Sequence, residues 1–247
     1  MLNHRASLGI SIILLMATLL AGCRVDPGSM IGAGSDLFTA ATLSSNEVKE
    51  LGKATADGMD AKNQIAPADN AYAKRLNKIV ADLHNEAGLK LNYKVYLVKD
   101  VNAFACPDGS IRVFAGLMDM MTDDEIYFVI GHEIGHVANG DSADKLRLAY
   151  AASGARKAVG ATGGAIGALS RAELGKIGEA LLNAQFSQRQ EFAADAYGLD
   201  LMQRNRKNQQ AAVTALRKLA TPGRAPSMLS THPEPGRRAD TIAAKIK

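Results

Sequence analysis

The most informative stretch of the chain is FVIGHEIGHV, at residues 128–137, which sets three ionisable side chains in an otherwise apolar segment. His132 and His136 are four residues apart, so on a helix they lie on one face with Cβ atoms about 5–6 Å apart. Glu133 is rotated by about 100° from His132 and flanks that face. Two imidazoles so placed can reach the same metal ion, and the pattern H-E-x-x-H therefore predicts a metal-binding helix.

The motif also occurs by chance, on surface helices that carry two solvated histidines. Here five large apolar residues surround it, and Gly131 and Gly135 allow another element to pack closely. A buried helix does not carry two histidines and a glutamate unless something pairs with them. In the metal-binding interpretation Glu133 takes a proton from metal-bound water and passes it to a leaving amine.

A third ligand is expected downstream, in the sequence EFAAD at residues 191–195. Glu191 and Asp195 are four residues apart and share a helix face. We predict that Glu191 is a metal ligand and that Asp195 accepts the free N–H of a ligating histidine, which fixes its tautomer. The alternative is a solvated helix face, since residues 188–190 are polar.

The rest of the pattern predicts an α+β fold, mostly helical, with a small β-sheet before the HExxH helix. Thr122 and Glu125 form a capping-box pattern that starts this helix. Alternation predicts a strand at 91–98, and the turn signal PDGS predicts a hairpin between 103–105 and 111–114. We expect further helices at 44–64, 67–86, 183–204, 208–219 and 236–246, one or two in the Ala/Gly-rich segment 141–182 with a mobile break, and a loop at 222–235.

The N-terminus predicts the compartment. An apolar run of about thirteen residues is too short to span a bilayer but has the length of a signal-peptide core. It ends in LAGC at residues 20–23 and resembles the bacterial lipobox, in which the cysteine carries the lipid; a short buried helix is the alternative. We expect a signal peptide at 1–22, a lipid-anchored tether at 23–43 beginning with Cys23, and a metallopeptidase domain at 44–247. Arg24, rather than Asp, after the cysteine implies the outer membrane, facing the periplasm.

Composition adds few constraints. The chain has 247 residues and a formal net charge of +4, without a dense basic run, so we expect no nucleic-acid binding. Of the two cysteines, Cys106 has no partner if Cys23 is lipidated, and we expect it to be a small buried residue rather than a nucleophile.

Together these motifs resemble the HtpX-like zinc metallopeptidases, the family that includes the CAAX-prenyl endopeptidases. The resemblance spans roughly residues 67–247. The chain departs from HtpX itself in two respects, its lipoprotein-type N-terminus and its lack of membrane helices. In both it resembles lipoprotein members of the family at the bacterial outer membrane. The stretches that carry it are HEIGH (132–136), EFAADAYG (191–198), NAFA (102–105), Gly109, VFAGL (113–117), STHP (230–233) and Arg238.

The resemblance implies a zincin-like fold and one zinc ion per chain, held by His132, His136 and Glu191, with Glu133 as general base. It implies attack of zinc-activated water on a peptide carbonyl, with unfolded or misassembled envelope proteins as substrates and other envelope proteins as partners. The short strands before the zinc helix offer a sheet edge, Asn102, Ala103, Phe104 and Ala105, on which we expect a substrate to pair as an added strand.

His232 has two open roles. The resemblance puts it near the metal, where it could donate a hydrogen bond to the oxyanion, the role we favour from sequence. It could instead occupy the open metal position and hold the enzyme off. Without the resemblance it would be a surface-loop residue. Arg238 could support the same oxyanion or hold the loop.

Two rival functions remain at this stage. The protein could be a catalytically idle, metal-stabilised lipoprotein that serves as an envelope binding or chaperone module. The sign of such a protein would be loss of the glutamate in the HExxH motif, and Glu133 is present. It could also be a zinc-stabilised structural domain, but closed structural sites are usually rich in cysteine.

Overall fold

A computed structural model describes residues 43–153 and 169–246, and the described chain folds into ten helices and five short strands. The predicted signal peptide, Cys23 and nearly all of the tether, together with residues 154–168, lie outside the described residues. The elements, in chain order, are α1 (Ser45–Asp60), α2 (Ala71–Ile79), β1 (Asn85–Glu86), β2 (Leu89–Lys90), β3 (Asn92–Tyr96), β4 (Ala103–Ala105), β5 (Ser110–Phe114), α3 (Ala115–Met120), α4 (Asp123–Ala138), α5 (Asp141–Ser153), α6 (Arg171–Asn183), α7 (Gln188–Arg204), α8 (Gln210–Leu219), α9 (Pro226–Thr231) and α10 (Pro235–Ala243).

Helix α4 carries the HExxH motif through the centre of the fold. It begins at the predicted capping box, in which the Glu125 N–H donates to the Thr122 hydroxyl and the Thr122 N–H donates to the Glu125 carboxylate. Every residue from Glu125 to His136 is buried. Burial on all sides explains why this helix is apolar over most of its circumference.

Helix α7 packs against α4 at backbone contact distance, because glycines face each other at the crossing. A Cβ added at Gly198 would lie 3.0 Å from the His132 backbone nitrogen, and one added at Gly135 would lie 2.9 Å from the Tyr197 Cβ. Such distances require glycine at both positions. The close approach brings the Glu191 and Asp195 face of α7 onto the histidine face of α4.

The small sheet has the strand order β3-β5-β4. Strand β3 runs parallel to β5, and β4 pairs antiparallel with β5 in the register Ala103↔Val113 and Ala105↔Ile111. The predicted hairpin is therefore confirmed. Among the described strands β4 pairs with β5 alone, so it forms an edge of the sheet, and this edge lies beside α4.

Several expected boundaries are wrong. The segment 67–86 is not one helix: the Asn70 side chain caps α2, and residues 85–90 form a β1–β2 hairpin whose turn holds Ala87 and Gly88 at positive φ. The helix expected at 183–204 begins only at Gln188, because α6 ends at Asn183 and a Ser187 capping box starts α7. The loop expected at 222–235 contains α9.

The expected fold class, mostly helical with a small sheet, is confirmed. Two helices, α5 and α6, occupy the described parts of the Ala/Gly-rich segment. Within residues 43–153 and 169–246, every helix is too short or too polar to cross a bilayer.

Candidate metal centre

Two histidines of α4 point into a common space. His132 and His136 are buried, their rings meet edge to face, and their Nε2 atoms lie 3.0 Å apart. This pairing follows from the four-residue spacing on one helix face.

A carboxylate outside the pair orients each histidine. The Nδ1–H of His132 donates to Asp195 Oδ1 at 2.9 Å, and the Nδ1–H of His136 donates to Asp141 Oδ2 at 3.0 Å. These bonds place the proton on Nδ1 and leave the Nε2 lone pair directed into the common space. Two lone pairs at 3.0 Å repel each other unless a cation lies between them, so the arrangement fits a metal ion.

Glu191 and His232 complete the cluster. Glu191 Oε1 lies 3.3 Å from His136 Nε2, and His232 Nδ1 lies 3.0 Å from Glu191 Oε1 and 3.2 Å from His132 Nε2. The four candidate ligand atoms lie within 4.8 Å of one another. Tetrahedral zinc with bonds of about 2.0–2.1 Å requires ligand atoms roughly 3.3 Å apart, and the cluster matches this spacing.

Charge and burial oppose each other at this site. Burial alone would raise the pKa of Glu191, but the neighbouring rings of His136 and His232 hold it well below its usual value. Burial would also raise the pKa of Asp195, which the guanidinium of Arg238 and the ring of His132 keep low. For His232, burial lowers the pKa to about 4. The site therefore presents two anionic carboxylates, and His232 is a neutral donor.

Arg238 holds the carboxylates of Asp195 and Glu191 in place. It is buried on α10 and donates to Asp195 from Nε at 2.7 Å and from Nη2 at 2.6 Å, and its Nη1 is ion-paired with Glu191. A bidentate arginine–carboxylate pair fixes geometry as well as charge. The structure thus places Arg238 behind the ligands, and its donors are already engaged there.

Glu133 faces the same space without belonging to the cluster. Its Oε1 is buried, has no hydrogen-bond partner within the described chain, and lies 3.6 Å from His232 Nε2. Burial raises the pKa of this carboxyl. A carboxylate oxygen left open beside the cluster is suited to accept a proton from a reacting water.

A narrow cavity connects Glu133 to the sheet edge. Its walls are the four residues 102–105, which comprise β4 and Asn102, together with Glu133, Lys145, Leu181, Leu182, Phe186, Thr231 and His232. Its interior has room for about one water molecule. The predicted edge strand therefore lies beside the candidate base and beside His232.

Sequence reasoning missed three residues here. Asp141 orients His136 from the start of α5, Phe186 stacks on His136 with ring centroids 3.7 Å apart, and Lys145 lines the cavity. Only Asp141 left a signal, an acidic residue five positions after the motif, because the turn at Gly140 (φ +83°) folds α5 back onto α4. Cys106 is buried and free, as expected for a small core residue.

The family model and the relatives that match this chain all point to the same group of proteases. The model of peptidase family M48 matches residues 70–246. The chain is 44% identical over 235 residues to Metalloprotease LoiP of Escherichia coli (94% of this chain, 93% of that protein). It is 41% identical over 237 residues to Metalloprotease YcaL of the same organism (93% of each). A shorter match, 39% identical over 82 residues, is to Protease HtpX of Chromohalobacter salexigens (31% of this chain, 27% of that protein).

Proposed function

The chain belongs to peptidase family M48 and is a metallopeptidase, and from that premise we propose that it is a zinc-dependent endopeptidase of the bacterial envelope. We propose unfolded or misassembled proteins as its substrates. The observation that supports the chemistry best is the cluster of His132, His136, Glu191 and His232, which has the spacing of a tetrahedral metal site.

The donor set favours zinc, at one ion per chain. Three imidazole nitrogens and one carboxylate oxygen suit zinc better than calcium or magnesium, which prefer oxygen alone. His132, His136 and Glu191 would hold the ion, with Asp195 and Asp141 orienting the two histidines of α4. When bound, zinc polarises a carbonyl oxygen and lowers the pKa of a water molecule.

The chain's own residues supply the proton transfers. Glu133, whose Oε1 accepts no hydrogen bond from any described group, takes a proton from the attacking water and gives it to the amide nitrogen that leaves. The raised pKa of this carboxyl assists the second transfer, since a protonated carboxyl is the acid that the leaving nitrogen requires.

Strand β4 supplies a binding edge. A substrate that pairs with the backbone of this strand is bound by its own main chain, which explains acceptance of varied unfolded sequences. Since the cavity admits about one water molecule, a substrate strand requires the wall that faces β4 to move outward as it enters.

The envelope location rests on the N-terminal sequence. We propose that residues 1–22 are a lipoprotein signal peptide, that Cys23 carries the lipid at the outer membrane, and that residues 23–43 tether a peptidase domain, 44–247, in the periplasm. Other envelope proteins are possible partners of a domain held there.

The test is casein hydrolysis by the purified chain without its N-terminal 22 residues. Cleavage that stops when zinc is chelated, and returns when zinc is restored, supports an endopeptidase. A protein that keeps zinc and binds unfolded casein without cutting it is instead the idle binding module, and the proposal fails.

A further inference from the structure

Lys145 shares a helix face with a residue of the metal centre. It lies four positions after Asp141 on α5, so both side chains turn toward α4. Asp141 contacts His136, whereas Lys145 lines the cavity that contains Glu133 and β4. Thus α5 directs one positive charge into the space that the proposed substrate enters.

Among the described residues, the ammonium of Lys145 has no anionic partner. Within residues 43–153 and 169–246, no carboxylate oxygen lies within 4.0 Å of its Nζ. Its one aromatic contact is with the Phe186 ring, whose centroid is 4.0 Å from Nζ. Burial lowers the pKa of Lys145 to about 8, although Glu133 and Glu191 pull it upward. A desolvated cation that lacks a carboxylate gains more from pairing with one than an exposed lysine does.

The position of Phe186 limits what this cation can reach. His136 covers one face of the ring, at 3.7 Å with planes only 7° apart, so the ammonium must lie over the opposite face. The thickness of the aromatic ring therefore separates Nζ from His136 and from the metal position. Lys145 is therefore placed to meet a substrate residue beside the scissile bond rather than the metal position.

We propose that Lys145 is a specificity-determining residue that binds an acidic side chain of the substrate next to the scissile bond. The proposal rests on the proposed peptidase function. A strand paired with β4 points alternate side chains to one side, and those that face Phe186 approach Lys145. A carboxylate placed there gives the ammonium the anionic partner that it lacks among the described residues. The carboxylate at the end of a polypeptide has the same chemistry and is the competing source.

The experiment compares matched peptides built on a casein site that the enzyme cuts. Glutamate or glutamine is placed in turn at three positions on each side of the bond, with amidated C-termini, and one glutamate-free pair differs only in a free or amidated C-terminus. The ratio of kcat/KM for Glu over Gln is measured for wild type, Lys145→Met, Lys145→Arg and the control Lys74→Met, which removes an exposed lysine on α2.

We expect a Glu/Gln ratio of about tenfold at one position in wild type. It should fall to about one in Lys145→Met and persist in Lys145→Arg and Lys74→Met. The proposal is overturned if wild type shows no preference, if Lys145→Met keeps the ratio because Lys145 merely braces Phe186, or if preference appears only for the free C-terminus.

Failure of this proposal is distinguishable from failure of the peptidase function. Fluorescence anisotropy of labelled Glu and Gln peptides, with Glu133→Gln and Glu133→Gln/Lys145→Met proteins, measures the same preference without turnover. Metal-dependent casein cleavage with no Glu preference removes the role of Lys145 alone. Absence of casein cleavage contradicts the peptidase, while the binding ratio still tests the lysine.

Discussion

At the residue scale, three of the four candidate ligands are held by a group outside the cluster. Asp195 orients His132, Asp141 orients His136, and Arg238 is paired with Glu191. Such partners fix tautomer and ring direction before a metal binds, and their loss typically weakens metal affinity by about 10–100-fold. The donor geometry is therefore a property of the folded chain.

His232 is the candidate ligand whose expected role differs between sequence and structure. Its Nδ1 lies 3.0 Å from Glu191 Oε1 and 3.2 Å from His132 Nε2, within the ligand cluster. The family resemblance made oxyanion support the favoured role; from these distances we propose the alternative, a fourth ligand that closes the open position.

We predict that His232→Ala keeps its zinc and hydrolyses casein faster. The increase is about tenfold if the closed arrangement is favoured over the open one by about 1.4 kcal/mol. Zinc content and casein kinetics are measured on the same preparation. A fall in kcat of about 10²–10³ with zinc retained would instead assign His232 to transition-state support.

A pH dependence follows from Lys145. Four titratable groups face it, Glu133, Glu191, His232 and Cys106, and burial leaves its pKa at about 8. The ammonium is charged below that pH and neutral above it, and a bound divalent cation moves the pKa lower still.

The Glu/Gln ratio of kcat/KM should therefore be largest at mildly acidic pH, where the substrate glutamate is ionised and the ammonium is charged, and decline toward one as pH rises to about 8 and above. Because kcat/KM reports the free enzyme, ionisations common to both peptides cancel in the ratio. A ratio that stays constant to pH 10 would show that Lys145 is not the group that recognises glutamate.

Residues at helical spacing could be predicted from the sequence. His132 with His136, and Glu191 with Asp195, share helix faces whatever the rest of the chain does. Lys145 and Phe186 could not be predicted, because their positions depend on the turn at Gly140 and on the α6–α7 connection. These are tertiary features without a local pattern.

At the element scale, the α4–α7 crossing aligns the site. A Cβ on Gly198 would lie 3.0 Å from the His132 backbone nitrogen, so the helices approach at backbone distance. This fixes the height of Glu191 relative to the two histidines. The sheet edge β4 then lies against the open side of the same helix.

Main-chain pairing on β4 has a direct test. We predict that N-methylation of a substrate peptide slows cleavage at alternate positions flanking the bond, because alternate N–H groups of an added strand donate to the edge. Cleavage rates are compared across the methylated series and against unmethylated peptide. Equal rates at all positions would contradict strand addition.

Element types were more predictable than their ends. The HExxH helix and the β4–β5 hairpin follow from a capping box and a PDGS turn, both of which are local signals. The prediction of a single helix over 67–86 was wrong because the apolar stripe of this segment continues past the end of α2. Its last residues gain more from the β1–β2 hairpin, whose turn uses positive φ at Ala87 and Gly88.

At the scale of the whole molecule, the proposed lipid anchor and the peptidase domain are separate functions of one chain. The metal centre, its orienting carboxylates and the β4 edge all lie within residues 102–238. We therefore propose that the N-terminal segment serves location alone.

We predict that Cys23→Ser loses association with membranes and keeps casein hydrolysis in solution. The serine hydroxyl is not the thiol that lipoprotein processing modifies, whereas the metal centre is untouched. Fractionation of cell envelopes and casein kinetics check both parts. Unchanged membrane fractionation of Cys23→Ser would contradict the lipid anchor.

The central claim is that Glu133 is the base of a zinc site built by His132, His136 and Glu191, and one paired measurement tests it most directly. Zinc per chain and casein hydrolysis are determined for wild type, Glu133→Gln and His136→Ala. The account predicts one zinc per chain in wild type and in Glu133→Gln, with activity lower by roughly 10² or more in the latter, and loss of both zinc and activity in His136→Ala. Equal loss of zinc from Glu133→Gln and His136→Ala, or full activity of Glu133→Gln, would contradict it.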